Sequence, residues 1–309
     1  MRCLNPRPVG FQADGKTISW SQSTSSKEYA FFKLPCGKCI ECRLEYARQW
    51  AVRCVHEAQM HEDNCFITLT YDEQHLESEK LDYTHFQKFM KRLRFANPNR
   101  QIGVFVTGEY GDQKKRPHWH ACIFNWTPSD AAYKYTNERG DRAYTSNTLS
   151  TLWGKGNAEF GTVTFESAGY CARYAAKKLI HGRDDTHEYN PISKKSSKHA
   201  IGKSWIEKYW PDIFNYGQLH LPNGKTCSIP RYYEKWFKKN HPEKYSHYVT
   251  QTKLKKIEEA QKRKEKEELK EKEINLSRRP FVGPQIKKSD VRTKIINSKF
   301  EQLQKHLKL

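Results

Sequence analysis

Apolar positions along the chain fall into short runs separated by polar, Gly- and Pro-containing stretches, and two periodicities emerge. From Cys42 onward, Leu44, Ala47, Ala51, Cys54 and Ala58 recur every three or four positions, which predicts an amphipathic helix to about His61. Cys65 to Tyr71 is a compact apolar and β-branched run of the kind that forms a buried strand. Phe86, Phe89, Met90 and Leu93 mark a second helix with Asp82 as its N-cap; this stripe reads as core, not as a cofactor box. Two more strands are expected at about 102–108 and 118–125, joined by a Gly-, Asp- and Lys-containing connection that suits a hairpin. Residues 126–145 read as an exposed insertion, a short helix ends near Trp153, and Phe160 to Phe165 reads as a fourth strand. Alanines and long side chains from Gly169 to Leu179 then favour helix. The order strand, helix, strand, strand, helix, strand predicts an α+β fold, a ferredoxin-like split βαβ with an antiparallel sheet.

The same pattern divides the chain into a Cys-rich N-terminal segment and helix (1–62), an α+β core (63–180), an accessory basic and aromatic region (181–249), and a charged helix with a basic tail (250–309). In the accessory region Lys194, Lys195, Lys198 and Lys203 mix with Trp205, Tyr209, Trp210, Tyr232, Tyr233 and Trp236, a DNA-contacting surface with part of its aromatics in a core; Asn223-Gly224 marks a turn. Beyond residue 250 a Lys/Glu-rich run to Glu273 reads as a solvated helix supported by i,i+4 pairs, and Pro280 and Pro284 separate it from the basic tail. Charge sharpens this picture: 55 Lys+Arg against 35 Asp+Glu give a net +20, and 13% of residues are aromatic. That mixture suits a polyanion with stackable bases better than a small metabolite, although charge alone also fits non-specific binding. The first residues lack the apolar core of a signal peptide and no apolar run approaches a membrane span, so a cytosolic, membrane-free protein is expected. Nine cysteines in such a chain point to reduced thiols or a metal site.

Candidate chemistry begins at Arg116-Pro117-His118-Trp119-His120. On a strand, His118 and His120 share a face and form a clamp for a divalent metal; two half-exposed surface histidines are the bland alternative. The hairpin returns Glu109, in Gly108-Glu109-Tyr110-Gly111, beside that face as a third ligand, leaving coordination positions open. Cys36-Gly37-Lys38-Cys39-Ile40-Glu41-Cys42 is a doubled C-x₂-C able to wrap one tetrahedral zinc, with Cys3 as the fourth ligand because Cys54 falls on the apolar face of the next helix. Unligated thiols or an iron–sulfur cluster are the other readings. Arg43, Arg48 and Arg53 read as a solvated or DNA-facing stripe. Tyr170 and Tyr174 lie four apart on one helix face, and Arg173 and Lys177 each follow a tyrosine by three, which places a cation near each phenol; tyrosines packed into a core are equally in keeping with this segment. Gly202-Lys203-Ser204 is no phosphate loop, because Ser197 stands where that loop needs glycine, so neither a nucleotide cofactor nor an intrinsic helicase is expected.

Taken in order, Phe66 to Tyr71, Pro117 to His120 and Tyr170 to Tyr174 resemble the three motifs of HUH endonucleases, specifically the two-tyrosine rolling-circle replication initiators. Pro35 to Cys39, Gly108 to Gly111, Ile201 to Trp205 and Pro230 to Tyr233 resemble the initiators of gokushovirus-type single-stranded DNA phages, over most of residues 1–240. Trp119 is a bulkier residue than that superfamily usually carries between its histidines. The resemblance implies an HUH nickase core with Mg²⁺ or Mn²⁺ held by His118, His120 and Glu109. Catalysis would run through Tyr170 and Tyr174 with Arg173 and Lys177, by way of a 5′-phosphotyrosine bond. It further implies single-stranded origin DNA as substrate, a host helicase and polymerase as partners, and the cytoplasm of a bacterial host as the setting. A two-tyrosine transposase and a non-enzymatic, zinc-stabilised nucleic-acid-binding protein are the alternatives.

Overall fold

The computed structural model describes residues 3–28, 31–111, 116–138, 140–177, 192–221, 224, 226–277 and 288–306, with the backbone alone described at 22, 174–177, 288–289, 300–301 and 303–306. Three short strands, β1 (Arg7–Phe11), β2 (Ile18–Ser19) and β3 (Phe32–Leu34), make a small antiparallel sheet in the order β2-β1-β3, followed by helix α1 (Ile40–Ala58). The central unit runs β4 (Asn64–Thr70), α2 (Tyr83–Ala96), β5 (Gly103–Tyr110), β6 (Pro117–Phe124), β7 (Ala132–Thr136), β8 (Arg142–Thr145), α3 (Asn147–Trp153), β9 (Ala158–Gly161), α4 (Phe165–Lys177) and β10 (Ile192–Lys195). Its sheet has the order β10-β5-β6-β4-β9-β8-β7. The four strands read from the sequence are its centre, β5-β6-β4-β9, each antiparallel to its neighbour, which is the expected ferredoxin-like arrangement.

Period-two alternation sends the strands' apolar side chains to two faces. Ile67, Leu69, Val106, Trp119 and Ile123 meet Phe86, Phe89 and Leu93 of α2 and Trp153 of α3. Phe86, Phe89 and Leu93 are fully buried, each stabilising by roughly 1.5–3 kcal/mol relative to exposure. The Asp82 carboxylate accepts from Thr84 N–H at 2.8 Å, capping α2 as predicted. On the opposite face Phe105, Cys122 and Phe124 are covered by Trp50, Ala51 and Cys54 of α1 and by Ala168, Cys171 and Ala172 of α4. The helices α1 and α4 pack along each other across this face.

Three expectations need correction. The fourth strand stops at Gly161 and does not reach Phe165, because Thr164 and Ser167 cap a helix there. Ser167 Oγ accepts from Thr164 N–H at 2.8 Å and Thr164 Oγ1 accepts from Ser167 N–H at 3.1 Å, a reciprocal pair that starts α4. Residues 126–145 are exposed over β7, yet they form a hairpin that extends the sheet through the pairing of Tyr144 with Phe160. Arg53 is neither solvated nor DNA-facing. It is buried between the rings of Trp50 and Tyr232, and its guanidinium donates twice to the Ile201 carbonyl, at 3.0 and 2.8 Å.

Past the sheet come α5 (Lys203–Tyr216), β11 (Leu219–His220), β12 (Thr226–Cys227), α6 (Arg231–Asn240), α7 (Pro242–His247), a π-helical turn (Tyr248–Lys253), α8 (Leu254–Ser277) and α9 (Lys288–His306). Val52 of α1 joins Ile206, Phe214, Tyr233 and Phe237 in a further core, and Trp205 stacks on His56, so much of the aromatic content of this region is internal. Strands β11 and β12 pair across the predicted turn, while Asn223 lies outside the described residues. Helix α8 buries none of its residues and carries i,i+4 pairs such as Lys264–Glu268, in line with a solvated helix. Among the described residues no helix is long and apolar enough to cross a membrane.

Candidate active site

Strand register builds the site. In the β5–β6 hairpin Glu109 stands opposite His118 and Thr107 opposite His120, while β4 sets Thr68 opposite His120 and Thr70 opposite His118. Gly108 and Trp119 face each other on the reverse side, and a Cβ on Gly108 would lie 2.5 Å from the indole ring. Glycine is therefore what lets the fully buried Trp119 lie flat across the hairpin, pinned by its N–H to the Tyr71 hydroxyl at 3.0 Å.

Three ligand atoms converge on the other side. Nε2 of His118 and Nε2 of His120 each lie 2.9 Å from Glu109 Oε1. The Nδ1 atoms are already engaged: that of His118 donates to the Arg116 carbonyl at 3.0 Å, and that of His120 lies 3.0 Å from the Thr68 hydroxyl. A carbonyl can only accept, so the His118 proton sits on Nδ1 and the Nε2 lone pair is turned to the carboxylate. Within the buried cluster Glu109 Oε2 has no hydrogen-bond partner, and His120 Nε2, despite its proximity to Oε1, is not aligned for a hydrogen bond. Lone pairs pointing together in a buried place call for a cation. Cis ligands around a divalent ion at about 2.1 Å stand roughly 3 Å apart, the spacing present here. The donor set of two imidazoles and one carboxylate thus fits a divalent metal with open positions.

Electrostatics agree. Burial alone would push the Glu109 carboxyl up, but the imidazoles of His120 and His118 outweigh it and hold the group well below the usual carboxylate range. Burial pushes His120 down, which keeps its ring neutral and ligand-ready.

Helix α4 lays Tyr170 over this cluster. Its ring stands edge-on to His120 with centroids 4.8 Å apart, and its hydroxyl donates to Glu109 Oε1 at 2.5 Å. Arg173 lies one turn on, half-buried, with its guanidinium over Gly169. The helix continues through Tyr174 and Lys177, whose side chains are outside the described part of the structure. Cys3, Cys36, Cys39 and Cys42 come together as a second group at the start of α1.

Three contributors escaped sequence reasoning. Thr68 orients His120, and Phe66 stacks parallel to the same imidazole at 5.7 Å. Arg116 supplies the carbonyl for His118 while its guanidinium ties to Tyr71 O and Glu73. The signal was present in the alternation of Phe66, Thr68 and Thr70, which share one face of a strand whose other face is apolar.

Residues 64–179, from the start of β4 to just beyond α4, match the family of replication-associated proteins of the ORF2 type. The replication-associated protein VP4 of Bdellovibrio phage phiMH2K is 48% identical over 316 residues, covering all of both chains. The replication-associated protein ORF4 of Chlamydia phage 1 is 34% identical over 217 residues, 67% of this chain and 54% of that one. For the replication-associated protein ORF2 of Spiroplasma virus 4 the identity is 29% over 256 residues, 76% of this chain and 80% of that one. No solved structure matches.

Proposed function

The chain belongs to the replication-associated proteins of Microviridae-type phages, and from that premise we propose that it nicks and rejoins single-stranded origin DNA to start rolling-circle replication. The observation that carries the reading is the Tyr170 hydroxyl held 2.5 Å from the carboxylate that completes a two-histidine metal site.

His118, His120 and Glu109 would hold Mg²⁺ or Mn²⁺, and such an ion supplies Lewis-acid polarisation of the scissile phosphate. Glu109 orients the phenol of Tyr170 through the hydroxyl hydrogen bond, so its oxygen faces the position of the phosphorus. The Tyr170 oxygen bonds to phosphorus as the bond to the 3′-oxygen breaks. The phenol gives up its proton and the departing 3′-oxygen gains one, leaving a 5′-phosphotyrosine ester and a 3′-hydroxyl for a polymerase to extend. Ester has been exchanged for ester, so rejoining is the reverse attack and needs no nucleotide cofactor. Tyr174, one turn along α4, takes the second cleavage, and Arg173 and Lys177 stabilise phosphate charge. Thr68 and the Arg116 carbonyl keep both Nε2 lone pairs aimed inward throughout. A cleft beside Tyr170, lined by Phe66, Tyr135, Phe160 and Arg142, offers rings and a guanidinium against which unpaired bases can stack. Unwinding falls to a host helicase.

Incubating the protein with labelled single-stranded origin DNA and Mn²⁺ tests the proposal. The wild type is expected to cleave, and His118→Ala and His120→Ala to lose cleavage while keeping their circular dichroism. Full cleavage by either variant, or by the wild type in excess chelator, would overturn it.

A further inference from the structure

The four cysteines near the N-terminus stand apart from the nicking chemistry. We infer that Cys3, Cys36, Cys39 and Cys42 form a mononuclear tetrathiolate zinc site that fastens the N-terminal sheet to the first turn of α1.

The spacing of the sulfurs matches one ion. Cys3 Sγ lies 3.8 Å from Cys39 Sγ, and Cys36 Sγ lies 4.0 Å from Cys42 Sγ. With Zn–S bonds of about 2.3 Å, the edge of a tetrahedron of sulfurs is about 3.8 Å. All four sulfurs fall within 4.8 Å of one another, so a single ion can reach every one. A multi-iron cluster would place its own cage between the thiolates and spread them much further apart.

The backbone around the sulfurs is arranged for the same purpose. Cys36 N–H donates to Cys3 Sγ at 3.2 Å and Cys39 N–H donates to Cys36 Sγ at 3.3 Å, the amide bonds that support metal-held thiolates. Gly37 turns the C-G-K-C loop with φ +74°, a conformation that L side chains rarely adopt. Cys39 is the N-cap residue of α1 and Cys42 lies in its first turn, so two sulfurs sit at the positive end of a 19-residue helix. Burial opposes ionisation of Cys36, but the amides of Cys39 and Lys38 bring its thiol down to about 6. Lys38 in the loop, and Arg43 drawn to Cys39, supply charge opposite to that of a tetrathiolate.

The consequence is architectural. Cys3 is 33 residues from Cys36 in the chain, and a shared ion closes that loop around β1, β2 and β3. It also fixes the start of α1, the helix that packs along α4 and its tyrosine.

Metal analysis of full-length protein carrying His118→Ala and His120→Ala, which removes the other metal site, isolates the cluster. About one zinc per chain is expected, falling to a small fraction when Cys39→Ser is added. Replacing zinc by Co²⁺ in the otherwise wild-type chain is expected to give the intense visible absorption of tetrahedral cobalt thiolate, which needs no cysteine variant to fold. Absence of zinc with no cobalt–thiolate spectrum, stoichiometric iron with sulfide, or zinc content unchanged by Cys39→Ser would each overturn the inference. The nicking assay is independent of all of them.

Discussion

Glu109 Oε1 is the atom on which the most contacts converge: two imidazole nitrogens at 2.9 Å and a phenol at 2.5 Å. That crowding makes the orientation of each imidazole consequential. Thr68 reaches only His120 Nδ1, so Thr68→Val preserves shape while releasing the ring. Mn²⁺ affinity measured by calorimetry is expected to fall by about 10- to 100-fold; unchanged affinity would remove Thr68 from the site. The two histidines and Glu109 were legible in the sequence because strand period and a hairpin connection are local rules. Thr68 was not, since it meets His120 across strands 52 residues apart, and only the β4–β6 register says so. Tyr170 was ambiguous in the sequence for a physical reason: it is buried like a core residue and bonded like a site residue.

Among the elements, the β5–β6 hairpin depends on the absence of one side chain. Gly108→Ala would bring a methyl within 2.5 Å of Trp119, whose ring is packed against Tyr83 and Phe86 and has nowhere to move. Urea unfolding is expected to show a loss of about 1–3 kcal/mol, and no loss would contradict this packing. Helix α1 carries a second test. His56 is stacked between Trp205 and Tyr233, and burial pushes its pKa down to about 3 from an ordinary 6.5. Between those values the unfolded chain binds the proton and the folded one does not, so stability declines as pH falls through 6.5 and stops declining on this account near 3. The slope contributed is up to about 1.4 kcal/mol per pH unit, and His56→Gln should flatten it in unfolding curves between pH 4 and 7. A wild-type slope unaffected by that change would contradict the burial argument. Helix faces and the Asp82 cap were readable from periodicity. The end of β9 was not, because the Thr164–Ser167 exchange outcompetes a β-branched run, and Arg53 was misread because its partners, Trp50, Tyr232 and Ile201, come from three separate segments.

At the scale of the whole molecule, a net charge of +20 supplies sequence-independent attraction for DNA, and the tyrosines supply the chemistry. Binding and cleavage should therefore separate: Tyr170→Phe with Tyr174→Phe is expected to bind single-stranded DNA as the wild type does, with the same steep weakening by salt in a filter-binding series. The fold order and the metal face were visible in the sequence. The joining of β10 to the central sheet, and of Val52 in α1 to the aromatic core of α5 and α6, was not, since both rest on long-range pairing that no local pattern encodes. The central claim, that a tyrosine on α4 attacks a phosphate at the Glu109–His118–His120 site, is tested most directly by mapping the covalent bond. Labelled single-stranded origin DNA is incubated with protein and Mn²⁺, run on a denaturing gel, and the retained peptide is sequenced. An adduct on Tyr170 or Tyr174 that disappears in the double variant is expected; an adduct that survives in that variant, or that maps to any other residue, would contradict the claim.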